Sequence, residues 1–267
     1  MAALLERADE WDALTAAVGA AGRSHGSVVL VSGEAGIGKT SLVRAFAEHV
    51  ACRARRLVGG CDDLLTARPL GPLRDAAAGT GGPLEDALRS GGDVFAAVVA
   101  ELSGPRVTAV VVEDLHWADP STLEILTLLL DQVPTTRLLA VLTFRPEFTP
   151  PWKPRSHLSQ LVLNRLGKKQ VEAMIDKVTT GKELSAKVIE QIRVKTDGVP
   201  LFVEELTKSV VESAAVTPAS PLTLAIPATL QEALLARLDR LSTARQVAQL
   251  GATIGREFSH ELIQAAR

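Results

Sequence analysis

The string Gly33-Glu-Ala-Gly-Ile-Gly-Lys-Thr40 constrains this chain more than any other feature. It fits the spacing G-x-x-x-x-G-K-[ST], follows directly on Ser27-Val-Val-Leu-Val-Ser32, and runs into the helical apolar pattern Leu42, Val43, Ala45 and Phe46. A strand before and a helix after are the context that this spacing demands. Glycines let the main chain curl so that successive N–H groups point inward, and the helix adds the positive end of its dipole, so the turn is built for phosphate. Gly33, Glu34, Ala35, Gly36, Ile37 and Gly38 form the cradle, with Ser41 closing the contacting stretch. Lys39 neutralises the β- and γ-phosphates, and the Thr40 hydroxyl is a ligand for Mg²⁺.

The surrounding pattern is that of an α/β chain. Trp11, Leu14, Val18 and Ala21 recur at helical spacing, giving an opening helix that ends near Gly22. Apolar runs at 107–112 and 138–143, and a weaker one at 160–163, match the run before the glycine-rich turn, and 56–59 is a short further strand. Unbroken rather than alternating runs suit strands buried on both faces, and helical stretches lie between most of them, so we expect a parallel sheet covered by helices. Beyond Gly167 the stretches 171–178, 185–196, 201–211, 230–241 and 244–252 all read as helices, with a Pro-rich linker at 216–227. The expected division is a phosphate-binding core at 1–165, a helical region at 166–215, and a linker with a partial helical piece at 216–267. Because the sequence stops at Arg267 inside a helical pattern, a larger parent protein is expected.

Two further motifs belong to the same edge of such a sheet. Val110-Val-Val-Glu113-Asp114 ends a buried run in two adjacent carboxylates, which are costly to place unless a cation or a water needs them. Leu139-Ala-Val-Leu-Thr143-Phe-Arg145-Pro146 presents a hydroxyl and a guanidinium at its tip. Ligands of open α/β sheets bind at the carboxyl ends of the strands, where an arginine is suited to bidentate contact with a γ-phosphate. His116 follows the acidic pair with no partner visible in the sequence, and Trp117 is expected to pack rather than to stack on a base. The basic triplet Arg53, Arg55, Arg56 and the pair Lys168, Lys169 read as solvated faces.

Composition excludes several classes. Aromatic residues make up 3%, with no tyrosine, which disfavours stacking platforms for single-stranded nucleic acid. Twenty-nine Lys and Arg against 31 Asp and Glu leave a net charge of -2, so nothing global draws the chain to DNA or an anionic membrane. Cys52 and Cys61 are too few for a disulfide framework and lack metal-ligand spacing, which points to a reducing compartment. Charge enters the N-terminal stretch too early for a signal peptide and no long apolar run occurs, so the expectation is a cytoplasmic protein with no membrane and no direct nucleic-acid contact.

The order of these elements resembles the STAND class of P-loop ATPases, in particular the ATPase module of large LuxR-type transcriptional regulators and of proteins carrying bacterial adenylate/guanylate cyclase domains. The residues that carry the resemblance are Leu4-Leu-Glu-Arg7-Ala-Asp-Glu10, the P-loop itself, Gly60-Cys-Asp-Asp-Leu-Leu-Thr-Ala-Arg-Pro-Leu-Gly-Pro-Leu73, and Glu113-Asp-Leu-His-Trp-Ala-Asp-Pro120. They continue with Thr143-Phe-Arg-Pro-Glu147, Thr196-Asp-Gly-Val-Pro-Leu-Phe-Val-Glu-Glu-Leu206 and Gly255-Arg-Glu-Phe258. The resemblance implies an ASCE/AAA-like core, a helical lid and the start of a winged-helix-like region. It further implies that Arg7 lies near the base, that Gly198-Val-Pro200 is a GxP motif whose proline packs on adenine, and that Arg145 senses the γ-phosphate. Where the family often has Asp-Asp this chain has Glu113-Asp114, and the longer first side chain leaves open which of them meets the Mg²⁺ shell; strand-end order favours Glu113, with Asp114 on the water.

Together these readings give an ATP- and ADP-binding, Mg²⁺-dependent regulatory switch that hydrolyses ATP slowly, partnered by other domains of a larger regulator or by self-association. A nucleotide-gated scaffold with negligible hydrolysis is the alternative. A P-loop kinase shares the turn, but no acceptor-substrate residues stand out, and a ring-forming motor lacks an identifiable trans-acting arginine.

Overall fold

The unbroken apolar runs of the sequence lie side by side in one parallel sheet. The computed structural model describes residues 7–62, 68–180, 184–216 and 247, and the chain divides into two units, Met1–Asn164 and Arg165–Arg267. In the first unit the elements are α1 (Ala8–Gly22), β1 (Ser27–Ser32), α2 (Lys39–His49), β2 (Ala54–Gly60), α3 (Gly71–Ala77), α4 (Pro83–Ser90), α5 (Val94–Leu102), β3 (Val107–Glu113), α6 (Pro120–Gln132), β4 (Leu138–Phe144) and β5 (Leu158–Val162). The five strands run in the order β2-β3-β4-β1-β5, each pair parallel.

Alternate residues of each buried run feed opposite layers, which is why the runs show no polar alternation. Val29, Val31, Ala109, Val111, Leu139 and Val141 pack with Leu14 of α1 and Leu42, Val43 and Phe46 of α2. Their neighbours Val28, Leu30, Val110, Val112, Ala140 and Leu142 face Leu73, Leu84, Val98 and Leu126 of α3 to α6. Full burial of one such side chain contributes about 1.5–3 kcal/mol, so the two-sided sheet dominates the stability of this unit. Local signals set the helix starts. Asp93 caps α5 by accepting from the Ala96 N–H at 3.0 Å, and Asp119 caps α6 by accepting from the Thr122 N–H at 3.1 Å, with Pro120 at the first helical position.

Arg55 departs from the expected solvated face. It pairs with Glu101 of α5, whose side chain is buried and whose other oxygen accepts from the Leu84 N–H at 3.2 Å. A carboxylate taken out of water needs a counter-ion, and β2 supplies one. Arg53, Arg56, Lys168 and Lys169 are exposed.

The second unit contains α7 (Lys168–Thr179), α8 (Ala186–Thr196) and α9 (Pro200–Val216), joined by a core of Val171, Ile175, Ile192, Val203, Leu206 and Val210. Gly198 sits at φ +71°, and a Cβ there would lie 2.4 Å from the Leu166 carbonyl oxygen, so the turn into α9 admits only glycine. Pro200 opens α9, where its missing N–H costs nothing. The expected helix at 230–241, that at 244–252 apart from residue 247, nearly all of the expected linker at 216–227, and the string Gly255-Arg-Glu-Phe258 lie outside the described residues, as do Leu4 to Glu6 and Asp63 to Ala67.

Candidate functional site

Strands β3, β4 and β1 are consecutive in the sheet, so the three motifs that end them emerge as neighbours, spaced by about 4.8 Å per strand. After β1 the chain makes the glycine-rich turn. Gly36 at φ +75° and Gly38 at φ +97° take left-handed conformations that reverse the peptide planes, while the Ile37 side chain, 1% exposed, pins the turn into the core. The Leu42 N–H is the first of α2 to find a main-chain acceptor, at the Gly38 carbonyl (3.0 Å). Among the described residues no acceptor meets the N–H groups of Lys39, Thr40 and Ser41. A helix N-terminus with free donors beside a left-handed glycine pair is an anion site.

Lys39 lies over this turn. Its Nζ donates to the carbonyls of Gly33 at 2.7 Å and Glu34 at 3.0 Å. Burial lowers its pKa, and the charge of Asp114 opposes that shift. Arg7 braces the same turn from outside, its Nη2 donating to the carbonyls of Ile37 at 3.3 Å and Asn164 at 2.8 Å, and its Nη1 pairing with Glu10 at 3.2 Å.

The two acidic residues meet different partners. Glu113, the last residue of β3 and 6% exposed, accepts through Oε1 from the Nε of Arg44 at 3.0 Å. Arg44 is one turn beyond Thr40 on α2, so Glu113 addresses the helix face that carries the Thr40 hydroxyl. Asp114 follows at φ +60°, a strained conformation that aspartate tolerates better than most residues. Its N–H donates to Thr143 Oγ1 at 3.0 Å, and its carbonyl accepts from the Trp117 N–H at 2.9 Å. Thr143, expected to offer its hydroxyl at the sheet edge, is fully buried and holds the acidic turn in shape.

Beyond Asp114 lies a cluster that the sequence did not reveal. His116 Nδ1 is 4.0 Å from Asp114 Oδ1, and both ring nitrogens are buried with no hydrogen-bond partner among the described residues. Burial pushes its pKa down, Asp114 opposes this, and Arg145 and Lys39 add to it, so the neutral ring is favoured. The His116 and Trp117 rings lie 4.3 Å apart, and the Arg145 guanidinium carbon sits 4.8 Å from the centre of the Trp117 ring. Among the described residues Arg145 donates no hydrogen bond and forms no ion pair through its side chain. Trp117 packs against the core cluster on one face of the sheet and lies beside Arg145 of the third motif.

A hydroxyl and one or two carboxylates are the hard oxygen donors that Mg²⁺ takes when it keeps water and substrate phosphate in its shell. Thr40 Oγ1, which meets no partner among the described residues, and Glu113 fit that role, and no cage of three metal-ligating side chains exists among them. Sequence reasoning missed Arg44. Its position four residues after Thr40 was the available signal.

A family model described as AAA ATPase domain matches residues 3–142, more than half of the chain. The chain belongs to the AAA ATPase domain family. An uncharacterized protein of Rhizobium meliloti (strain 1021) is 25% identical to this AAA ATPase domain chain over 311 residues; the chain is covered to 96% and spans 29% of the length of that relative. Cdc6p from Pyrobaculum aerophilum superposes with a TM-score of 0.59 at 16% identity, covering 82% of this chain and 64% of that one. A STAND protein with a tetratricopeptide repeat sensor from Pyrococcus horikoshii superposes with a TM-score of 0.52 at 15% identity, covering 82% and 33%. At these identities the solved structures establish the fold: a parallel sheet flanked by helices, as in P-loop AAA-type ATPases. No helix among the described residues is long and apolar enough to cross a membrane.

Proposed function

We propose that this AAA ATPase domain is a regulatory switch that binds ATP with Mg²⁺, hydrolyses it slowly, and adopts a different state with ADP. The observation that carries the reading is the convergence at one sheet edge of Lys39, the carboxylates of Glu113 and Asp114, and, among the described residues, helix-terminal N–H groups without an acceptor and an arginine whose side chain donates no hydrogen bond. Lys39 and the N–H groups bind the phosphates. Thr40 and Glu113 would hold the Mg²⁺, which when bound supplies Lewis-acid neutralisation of phosphate charge. Asp114, set in place by Thr143, orients the attacking water, and Arg145 reads the γ-phosphate. Arg7 and Pro200 are kept as contacts to the base on the strength of the resemblance.

The same reading takes 1–165 as the nucleotide-binding core, 166–215 as the helical lid and 216–267 as a linker with the start of a winged-helix-like region. It places the chain in the cytoplasm, as one module of a larger signalling or transcriptional regulator of the LuxR or cyclase-associated type, with the other domains or a second copy as partners and no nucleic acid bound by this module. The long relative, of which this chain spans 29%, supports a multidomain parent. Phosphate release under single-turnover conditions tests the switch. A slow burst limited to bound ATP is expected, and release no faster than in buffer would replace the switch with a nucleotide-gated scaffold.

A further inference from the structure

We infer that Trp117 is the seat of Arg145, a positioning residue that sets how well the site tells a triphosphate from a diphosphate. The inference rests on the reading of Arg145 as the γ-phosphate contact. A guanidinium at the tip of a strand would ordinarily be anchored by a carboxylate or a carbonyl. Here the guanidinium carbon lies over the Trp117 ring at 4.8 Å, and the side chain makes no hydrogen bond or ion pair among the described residues.

That arrangement has a chemical consequence. A guanidinium stacks through its flat face and donates through its edge, so resting on an indole consumes none of its five N–H groups. An acidic partner would neutralise the charge and occupy the donors that a phosphate needs. The aromatic seat fixes the group and leaves both free, lowering the conformational entropy that Arg145 would lose on binding. Trp117 is itself held. It lies in the short turn after Asp114, its N–H donates to the Asp114 carbonyl at 2.9 Å, and the buried His116 ring lies against it at 4.3 Å. The acidic pair and the arginine are therefore linked through one indole, which ties the γ-phosphate reader to the residue assigned to the water.

The test compares ATP and ADP affinities, by calorimetry with Mg²⁺, for the wild-type chain, Trp117→Phe, Trp117→Leu, Arg145→Ala and the double variant Trp117→Leu/Arg145→Ala. Loss of a partly desolvated cation–π contact should reduce the preference for ATP over ADP about fivefold in Trp117→Leu, while the aromatic Trp117→Phe keeps most of it. The double variant should be no worse than Arg145→Ala, because both substitutions remove one function. Equal behaviour of the Phe and Leu variants, additive losses in the double variant, or tighter ATP binding by Trp117→Leu would overturn the seat. If Arg145→Ala itself leaves the preference unchanged, the γ-phosphate reading fails and the seat fails with it; if Arg145→Ala lowers it and Trp117→Leu does not, only the seat fails. A variant that keeps Trp117, with Trp11→Phe and Trp152→Phe, gives a readout that needs no change in the turn. Its emission should respond differently to ATP and ADP, with the difference abolished by Arg145→Ala, and identical responses to the two nucleotides would contradict the seat.

Discussion

Arg44 donates through Nε to Oε1 of Glu113 at 3.0 Å, joining the helix behind the phosphate turn to the tip of β3. The carboxylate is buried and the arginine side chain is 69% exposed, so the pair serves chiefly to neutralise Glu113 where water does not reach it. A divalent cation at the Thr40 face would take over that neutralisation.

Arg44→Gln should therefore lower the Mg²⁺ concentration needed for half-maximal ATP binding severalfold, because a competing positive charge is gone. Stability should fall by about 1 kcal/mol, between the values of an exposed and a buried pair. A Mg²⁺ titration of ATP binding, together with a urea melt, checks both. An unchanged or higher Mg²⁺ requirement would mean that Arg44 only holds Glu113 in place.

Glu113→Gln and Asp114→Asn should differ in kind. The proposed division gives metal holding to Glu113, whose carboxylate meets Arg44 of α2, and water orientation to Asp114, whose carboxylate lies 4.0 Å from His116 Nδ1. The first variant should lose the Mg²⁺ dependence of ATP binding, and the second should keep binding and lose turnover. Magnesium titration alongside single-turnover hydrolysis decides between this division and a shared role, in which the two variants would be indistinguishable.

The strands at the centre of the sheet were legible because β1, β3 and β4 are buried on both faces and read as unbroken apolar runs. β5 was harder to bound. It is an edge strand with mostly half-exposed and exposed residues, and it runs from Leu158 rather than from the expected position 160. The phosphate turn, the acidic pair and the Arg145 tip follow from chain order, because each is attached to a strand whose neighbours could be inferred. What could not be read were contacts between elements distant in sequence: Arg44 with Glu113, Arg55 with Glu101, and Arg145 with Trp117. Each depends on which helix or turn packs over which strand tip, and hydrophobic periodicity carries no signal for that.

Cys61 offers a check on the packing beside the acidic turn. Burial, helped by the negative charges of Asp119 and Asp114, raises its thiol from 9.0 to about 12. Between these values the native state keeps a proton that the unfolded chain has lost, so stability should fall as pH rises through that window. Cys61→Ala should flatten this slope in urea melts at pH 8 and pH 10, and exposed Cys52 should be alkylated at neutral pH while Cys61 is spared. Equal labelling of both cysteines in the folded chain would contradict the burial of this site.

The central claim is that the turn from Gly33 to Thr40 binds the phosphates of ATP, with Lys39 as its charged contact. Calorimetric titration of ATP with Mg²⁺ into wild-type and Lys39→Ala chains tests it most directly. One charge-assisted contact to phosphate is worth about 1.5–3 kcal/mol, so the variant should bind at least about tenfold more weakly with its circular dichroism unchanged. Equal ATP affinity in the two folded chains would contradict the account.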